Sequence, residues 1–138
     1  MINTAEHIAE MRIYGIHKVN PDNKKRITIP MEWRVLLKPK SVANILYTWQ
    51  CLIIIPAYLH QWDPDSIVHK HTIDNTGRIL IGDKLLNAFD IKMINQVSLI
   101  GKWNHIELYW DQSKVKEAVS RAMQVAMEFQ AKLIGNLN

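Results

Sequence analysis

The sequence predicts an α+β, mainly β domain built from two tandem half-repeats and followed by a C-terminal helix. Three observations carry that expectation. The chain has 138 residues, 48% apolar and 22% charged, the balance of one ordinary globular domain. A segment recurs: Asp22-Asn23-Lys24-Lys25-Arg26-Ile27-Thr28-Ile29 reads like Asp74-Asn75-Thr76-Gly77-Arg78-Ile79-Leu80-Ile81, with both Asp, both Asn, both Arg and two Ile pairs matched 52 positions apart. From Val115 onward the apolar residues instead fall at helical intervals.

The elements follow in order. Residues 1–11 form an extension, 12–62 the first half, 63–72 a linker, 73–110 the second half and 111–134 the helix. Ile13, Tyr14, Ile16 and Val19 suit a strand before the first turn, and Val68 and Ile73 one before the second. Ile27-Thr28-Ile29 and Ile79-Leu80-Ile81 are short alternating strands bounded by turn residues. Met31–Leu37 and Asp83–Phe89 read as helices of one or two turns, with Asp83 capping the latter. Ile45–Ile54 matches Leu99–Leu108 at an offset of 54, each a strand, a turn bearing a tryptophan (Trp49, Trp103) and a second strand. Val97–Tyr109 is thus a hairpin around Lys102-Trp103-Asn104-His105. The tail repeats Val115, Ala118, Val119, Ala122, Met123, Ala126, Phe129 and Leu133, with Asp111 or Ser113 at its start and Gly135 at its end. Met123 and Met127 read as packing residues of that helix. Half-domains of roughly 50 residues are too small to bury a core alone. Pairing about a pseudo-two-fold axis solves this and brings the two Asp-to-Arg turns close together on one side.

Charge is unevenly placed. The net +4 arises entirely in residues 1–40, which hold eight basic and four acidic side chains; the remaining residues hold nine of each. Lys24-Lys25-Arg26 is the sharpest cluster. Such a patch points to a polyanion, nucleic acid first; the plainer alternative is a solvated face. Each turn sharpens the choice. An Asp opening a tight turn accepts a backbone N–H two residues on, and Gly77 allows a positive φ. An Arg leaving the turn can address phosphate or guanine, or can simply pair with its own Asp.

The stretches VNPDNKKRITIP, DNTGRILI and LIGKWNHIELYW resemble the two halves of the MraZ family, a tandem form of the SpoVT/AbrB-type DNA-binding unit, over about Tyr14 to Lys116. The resemblance implies a swapped-hairpin (AbrB-like, double-split) β-barrel made by both halves, and a ring-like homo-oligomer. It implies a bacterial transcriptional regulator, cytoplasmic and nucleoid-associated, that binds double-stranded DNA at promoter direct repeats of the division and cell-wall gene cluster. The family's D-x-x-x-R arginine falls at Arg26 and Arg78. Around it, Lys18, Lys24, Lys25 and Arg34 are the further candidate DNA contacts, and Asp22, Asp74 and Gly77 the candidate turn-structuring residues. Lys25 stands where the family has Gly; a positive φ there costs on the order of 1 kcal/mol. The Asp63–Thr72 segment is shorter than the family's helical insert.

Other chemistries have little footing. The sequence lacks a phosphate-binding glycine loop, a G-x-S-x-G elbow and an H-E-x-x-H zinc motif, so no catalytic residue, cofactor or metal site is expected. His69 and His71 read as a solvated linker pair. The single cysteine, Cys51, lies in the apolar run Cys51–Leu59 and reads as a small buried hydrophobe, compatible with a reducing cytosol. That run is too short to span a bilayer, and the N-terminal residues carry no apolar signal core, so no membrane partner is expected. Two rival functions remain: an AbrB-type antitoxin whose C-terminal helix grips a toxin, and a protein-interaction scaffold whose basic turns bind an acidic partner.

Overall fold

The structure, a computed structural model, describes residues 13–48, 50–60, 68–93 and 96–136. The expected 1–11 extension, Arg12, the turn tryptophan Trp49 and the linker as far as residue 67 lie outside the described residues. The first half contributes β1 (Ile13–Val19), β2 (Arg26–Thr28), a 3-10 turn (Met31–Trp33), β3 (Val42–Tyr47) and β4 (Leu52–Pro56), with a second 3-10 turn at Ala57–Leu59. The second half contributes β5 (Val68–Thr72), β6 (Arg78–Leu80), α1 (Asp83–Ala88), β7 (Val97–Trp103) and β8 (Ile106–Tyr109), and α2 (Gln112–Asn136) follows. The fold is α+β, mainly β, with antiparallel sheets and a C-terminal helix.

The halves interlock strand by strand. The large sheet runs β1-β7-β8-β4-β3-β5, and β2 pairs with β6 in a separate two-stranded ribbon. The first strand of each half therefore pairs with the third strand of the other: Ile16 faces Ile100 across β1–β7, and Ala43 faces His71 across β3–β5. The fourth strands meet in the middle, Ile53 opposite Glu107. That order is unchanged when the halves are exchanged, which is the pseudo-two-fold relation the repeat predicts. β1 and β5 are the two edges, so the six-stranded sheet is not closed.

Alternation along the strands sends one set of side chains to each face. The inner face carries Ile45, Ile54, Leu99, Ile106 and Leu108, packed against Ile27 and Ile79 of the ribbon, Trp33 and Leu85. All are essentially without solvent contact. The outer face carries Leu46, Ile53, Ile55, Ile100 and Tyr109, covered by Val115 and Ala118 of α2. Cys51 is buried in this second cluster, as its apolar surroundings predict. Tyr14 of β1 crosses Gly101 so closely that a Cβ there would press on the Tyr14 backbone.

Several expectations need correction. The strand expected around Val68 and Ile73 before the second turn is present as β5 (Val68–Thr72), paired antiparallel with the edge of β3, so it takes up the last five residues of the 63–72 linker. His69 and His71 are therefore strand residues, half-buried, and burial pushes the His71 imidazole below its ordinary pKa. Met31–Leu37 meets the one-turn end of its expectation: a 3-10 turn over Met31–Trp33 continues in hydrogen-bonded turns to Leu37. Asp83 does not cap α1: Gly82 holds the cap position at φ 81°, with no side-chain cap bond. Asp111 does start α2, accepting the Ser113 N–H at 3.0 Å. Gly135 does not end it, since the helix runs through Gly135 to Asn136. Met123 and Met127 are 61% and 67% exposed, so among the described residues they are not packed into the core. The first two turns of α2 pack on the outer sheet face through Val115 and Ala118, and Val125, Phe129 and Leu133 share the exposure. No helix among the described residues is long and apolar enough to cross a membrane.

Ile79 sits at the centre of the ribbon, opposite Ile27, and is fully buried. Ile79→Ala should cost about 2–5 kcal/mol, read from the urea midpoint at unchanged slope.

Candidate nucleic-acid interface

Each Asp-to-Arg turn is built by one carboxylate. Asp22 Oδ1 accepts the N–H groups of Lys24 at 2.9 Å and Arg26 at 2.8 Å, while Oδ2 accepts Arg26 Nε at 2.6 Å. Asp74 repeats the pattern: Oδ1 accepts the N–H groups of Thr76 at 3.0 Å and Arg78 at 2.9 Å, and Oδ2 accepts Arg78 Nε at 2.8 Å. Three donors converge on Asp22 and four on Asp74, where the Thr76 hydroxyl also donates to Oδ1 at 2.9 Å, so the charged form of each is strongly favoured. The Arg78 backbone N–H is the main cause that holds Asp74 down at about 2, and the Arg26 backbone N–H likewise lowers Asp22. The ion pair weighed as an alternative to ligand contact is thus present in both copies. Among the described residues it occupies Nε alone and leaves each guanidinium's terminal nitrogens available.

The turns bracket the ribbon. Its register sets Arg26 opposite Leu80 and Thr28 opposite Arg78, with Ile27 and Ile79 directed inward. Arg26, Thr28, Arg78 and Leu80 therefore share the outward face, and the two arginines are diagonal neighbours, with Cα atoms roughly 7–8 Å apart. Contrary to the expectation from the repeat, the turns themselves are not brought close together: because the strands are antiparallel they stand at opposite ends of this short ribbon, where the Lys25 carbonyl accepts the Ile81 N–H at 3.0 Å and the Gly77 carbonyl that of Ile29 at 2.8 Å. Thr28 and Leu80 escape a search for charged residues; their signal is the exposed phase of the alternation around Ile27 and Ile79.

Lys25 and Gly77 occupy equivalent positions, with φ of 62° and 82°. The first turn does need the left-handed conformation, so Lys25 carries strain of about 1 kcal/mol. Its Nζ donates to the Met93 carbonyl at 3.2 Å, which holds the side chain against the second half. Gly77 has a different neighbour. A Cβ there would collide with the Arg34 guanidinium, whose Nε donates to the Ile29 carbonyl at 3.0 Å. The first half thus delivers Arg34 to the second half's turn. Lys24 is exposed on the first turn. Lys18 is exposed but lies on the face of β1 opposite to His17, which contacts Trp33 in the core, so it is not brought to the ribbon. Trp103 ends β7 at φ 69°, 46% exposed and edge-on to Tyr14; it is not a core residue.

The arrangement is a paired-strand ridge that carries two diagonal arginines, flanked by Lys24 and Lys25 at one end and Arg34 at the other. Such a ridge matches anionic oxygens, and a two-stranded ribbon has the width a DNA major groove admits. No protein-family model and no curated protein matches this chain.

Gly77→Ala should lose about 1–2 kcal/mol, mainly from the left-handed backbone, because the end of the Arg34 side chain can swing aside, and adding Arg34→Ala should recover little of it; thermal unfolding of both variants checks this. The lowered carboxylate values give a pH dependence of known sign. Folding holds Asp74 ionised below its ordinary 3.8, so its stabilisation is complete above that value and is lost as pH falls toward about 2. Asp74→Asn should flatten this acid limb of the stability curve.

Proposed function

We propose that this chain is a sequence-specific DNA-binding transcriptional regulator of the MraZ type, without enzymatic activity. The observation that carries the reading is the shared outward face of Arg26 and Arg78, each guanidinium steered by an aspartate that uses only Nε. A side chain fixed in this way loses little rotamer freedom on binding, and its free nitrogens suit the two acceptors of guanine. Lys24, with Lys25 and Arg34 at the turns, would supply phosphate contacts. The exchange of first strands between the halves supports the swapped-hairpin reading of the fold, with the ribbon as the face left open to a ligand.

One protomer offers few contacts. A homo-oligomer along promoter repeats would multiply them. The exposed apolar length of α2 favours self-association and also favours a second reading, in which that helix grips a separate protein, as an antitoxin does its toxin.

Duplexes selected by the purified protein, titrated at several salt concentrations, test the proposal. Each phosphate contact should contribute about −0.9 to the log–log salt slope. Arg26→Ala and Arg78→Ala should each weaken the selected duplex by about 1–3 kcal/mol and relax its sequence preference, without altering oligomer mass. Retained preference in both variants would show that the arginines serve the turns alone. A chain ending at Ser120, weighed by sedimentation, separates the two uses of α2: loss of self-association marks an oligomer helix, and an unchanged monomer leaves α2 to a different partner.

A further inference from the structure

A cavity of about 410 Å3 lies between the outer face of the large sheet and α2, within the range of small-molecule sites. Its floor is made by the tips of the two hairpins, and α2 roofs it with Ala118, Arg121 and Val125. The cavity faces away from the ribbon, across the sheet, and nothing in the DNA reading uses it.

Its chemistry is lopsided toward positive charge. Lys102 Nζ stands 3.8 Å from Glu107 Oε1, and the Tyr109 hydroxyl donates to the same oxygen at 3.1 Å. Glu107 is therefore already compensated by a cation and a hydroxyl. Arg121 reaches the cavity with no carboxylate in ion-pair range among the described residues. Burial pushes both the Tyr109 phenol and the Cys51 thiol above their ordinary values, so neither adds a negative charge at neutral pH. One positive charge is left over. Ile53 and Val125 give the cavity an apolar wall beside it.

We propose that this cavity binds a small organic monoanion, with its carboxylate between Lys102 and Arg121 and its apolar body against Ile53 and Val125. The mixture of two cations and one hydrogen-bonded carboxylate matches a single negative charge and disfavours a dianion, which would face Glu107. Because α2 forms the roof, an occupant ties the helix to both hairpin tips and stabilises the folded chain through linkage.

Benzoate, its neutral isostere benzamide and inorganic phosphate serve as probes on the full-length protein. Benzoate should give saturable amide shifts at Lys102, Tyr109 and Arg121 and raise the melting temperature; benzamide and phosphate should do neither. Arg121→Gln lies on an exposed helix position, and Lys102→Gln keeps the length of the stem; each should weaken benzoate at least about tenfold while ligand-free unfolding stays near that of the parent. Benzamide binding as well as benzoate, phosphate binding at the same residues, undiminished affinity in both variants, or no saturable response to benzoate would each overturn the assignment. These results are independent of DNA affinity, so failure here leaves the regulator reading untouched, and failure of that reading leaves this one.

Discussion

Everything in this molecule depends on the exchange of first strands between its halves. Among the described residues, β1 pairs in the large sheet with β7 alone, and β5 with β3 alone. Neither half can complete its share of the sheet without the other. Each half's third strand would otherwise present an unpaired edge, which costs backbone hydrogen bonds and invites aggregation. The exchange also places the ribbon. With β1 and β5 committed to opposite edges, the chain returns from each through a tight turn, and the two returning strands meet face to face at the axis. The buried Ile27–Ile79 pair fixes their register. The outward face of Arg26, Thr28, Arg78 and Leu80 is then a consequence of pleat alone.

The Asp-to-Arg spacing does two jobs that first look like rivals. A surface ion pair contributes little by itself, typically under ~1 kcal/mol. Here the same carboxylate also accepts two backbone N–H groups in each turn, and those bonds define where the chain reverses. Loss of the aspartate would leave several donors unsatisfied together, whereas loss of the arginine would leave the turn largely intact. The asymmetry suits a contact residue: the arginine can be directed by the turn without being needed to form it.

The sequence made much of this legible. Five matched residues across 52 positions predicted two equivalent turns, the strands around them and the pairing of halves. It was legible because both the carboxylate network and the Ile-x-Ile alternation are short-range requirements. What stayed hidden depends on distant partners. Val68 and Ile73 signalled a strand before the second turn, but its partner, the edge of β3, was not legible. Gly82 and Asp83 compete for one cap, and the backbone path out of β6 decided it. The helical period of the tail was readable, but period alone does not say what the stripe faces; its first turns pack on the sheet, while Met123, Met127, Phe129 and Leu133 are exposed. The cavity beneath α2 was invisible because Lys102 and Arg121 lie in different elements and share no local pattern.

The two turns have diverged in a way that restores their likeness in space. In sequence the basic excess belongs to the first third of the chain, and the second turn carries only Arg78. The first turn accepts a left-handed lysine, at a strain of about 1 kcal/mol, and gains a cation there. The second turn keeps glycine at the equivalent position, and the missing Cβ is what admits Arg34 from the first half. A lysine at residue 77 would therefore not reproduce the first turn: it would be strained and would expel Arg34. Each end of the ribbon thus holds one arginine of its own and at least one further cation, supplied locally at one end and across the axis at the other. A charge distribution that is lopsided along the chain becomes nearly balanced around the ribbon. That balance is what two equivalent contacts on a repeated polyanion require, and it arises from a glycine on one side and a strained lysine on the other.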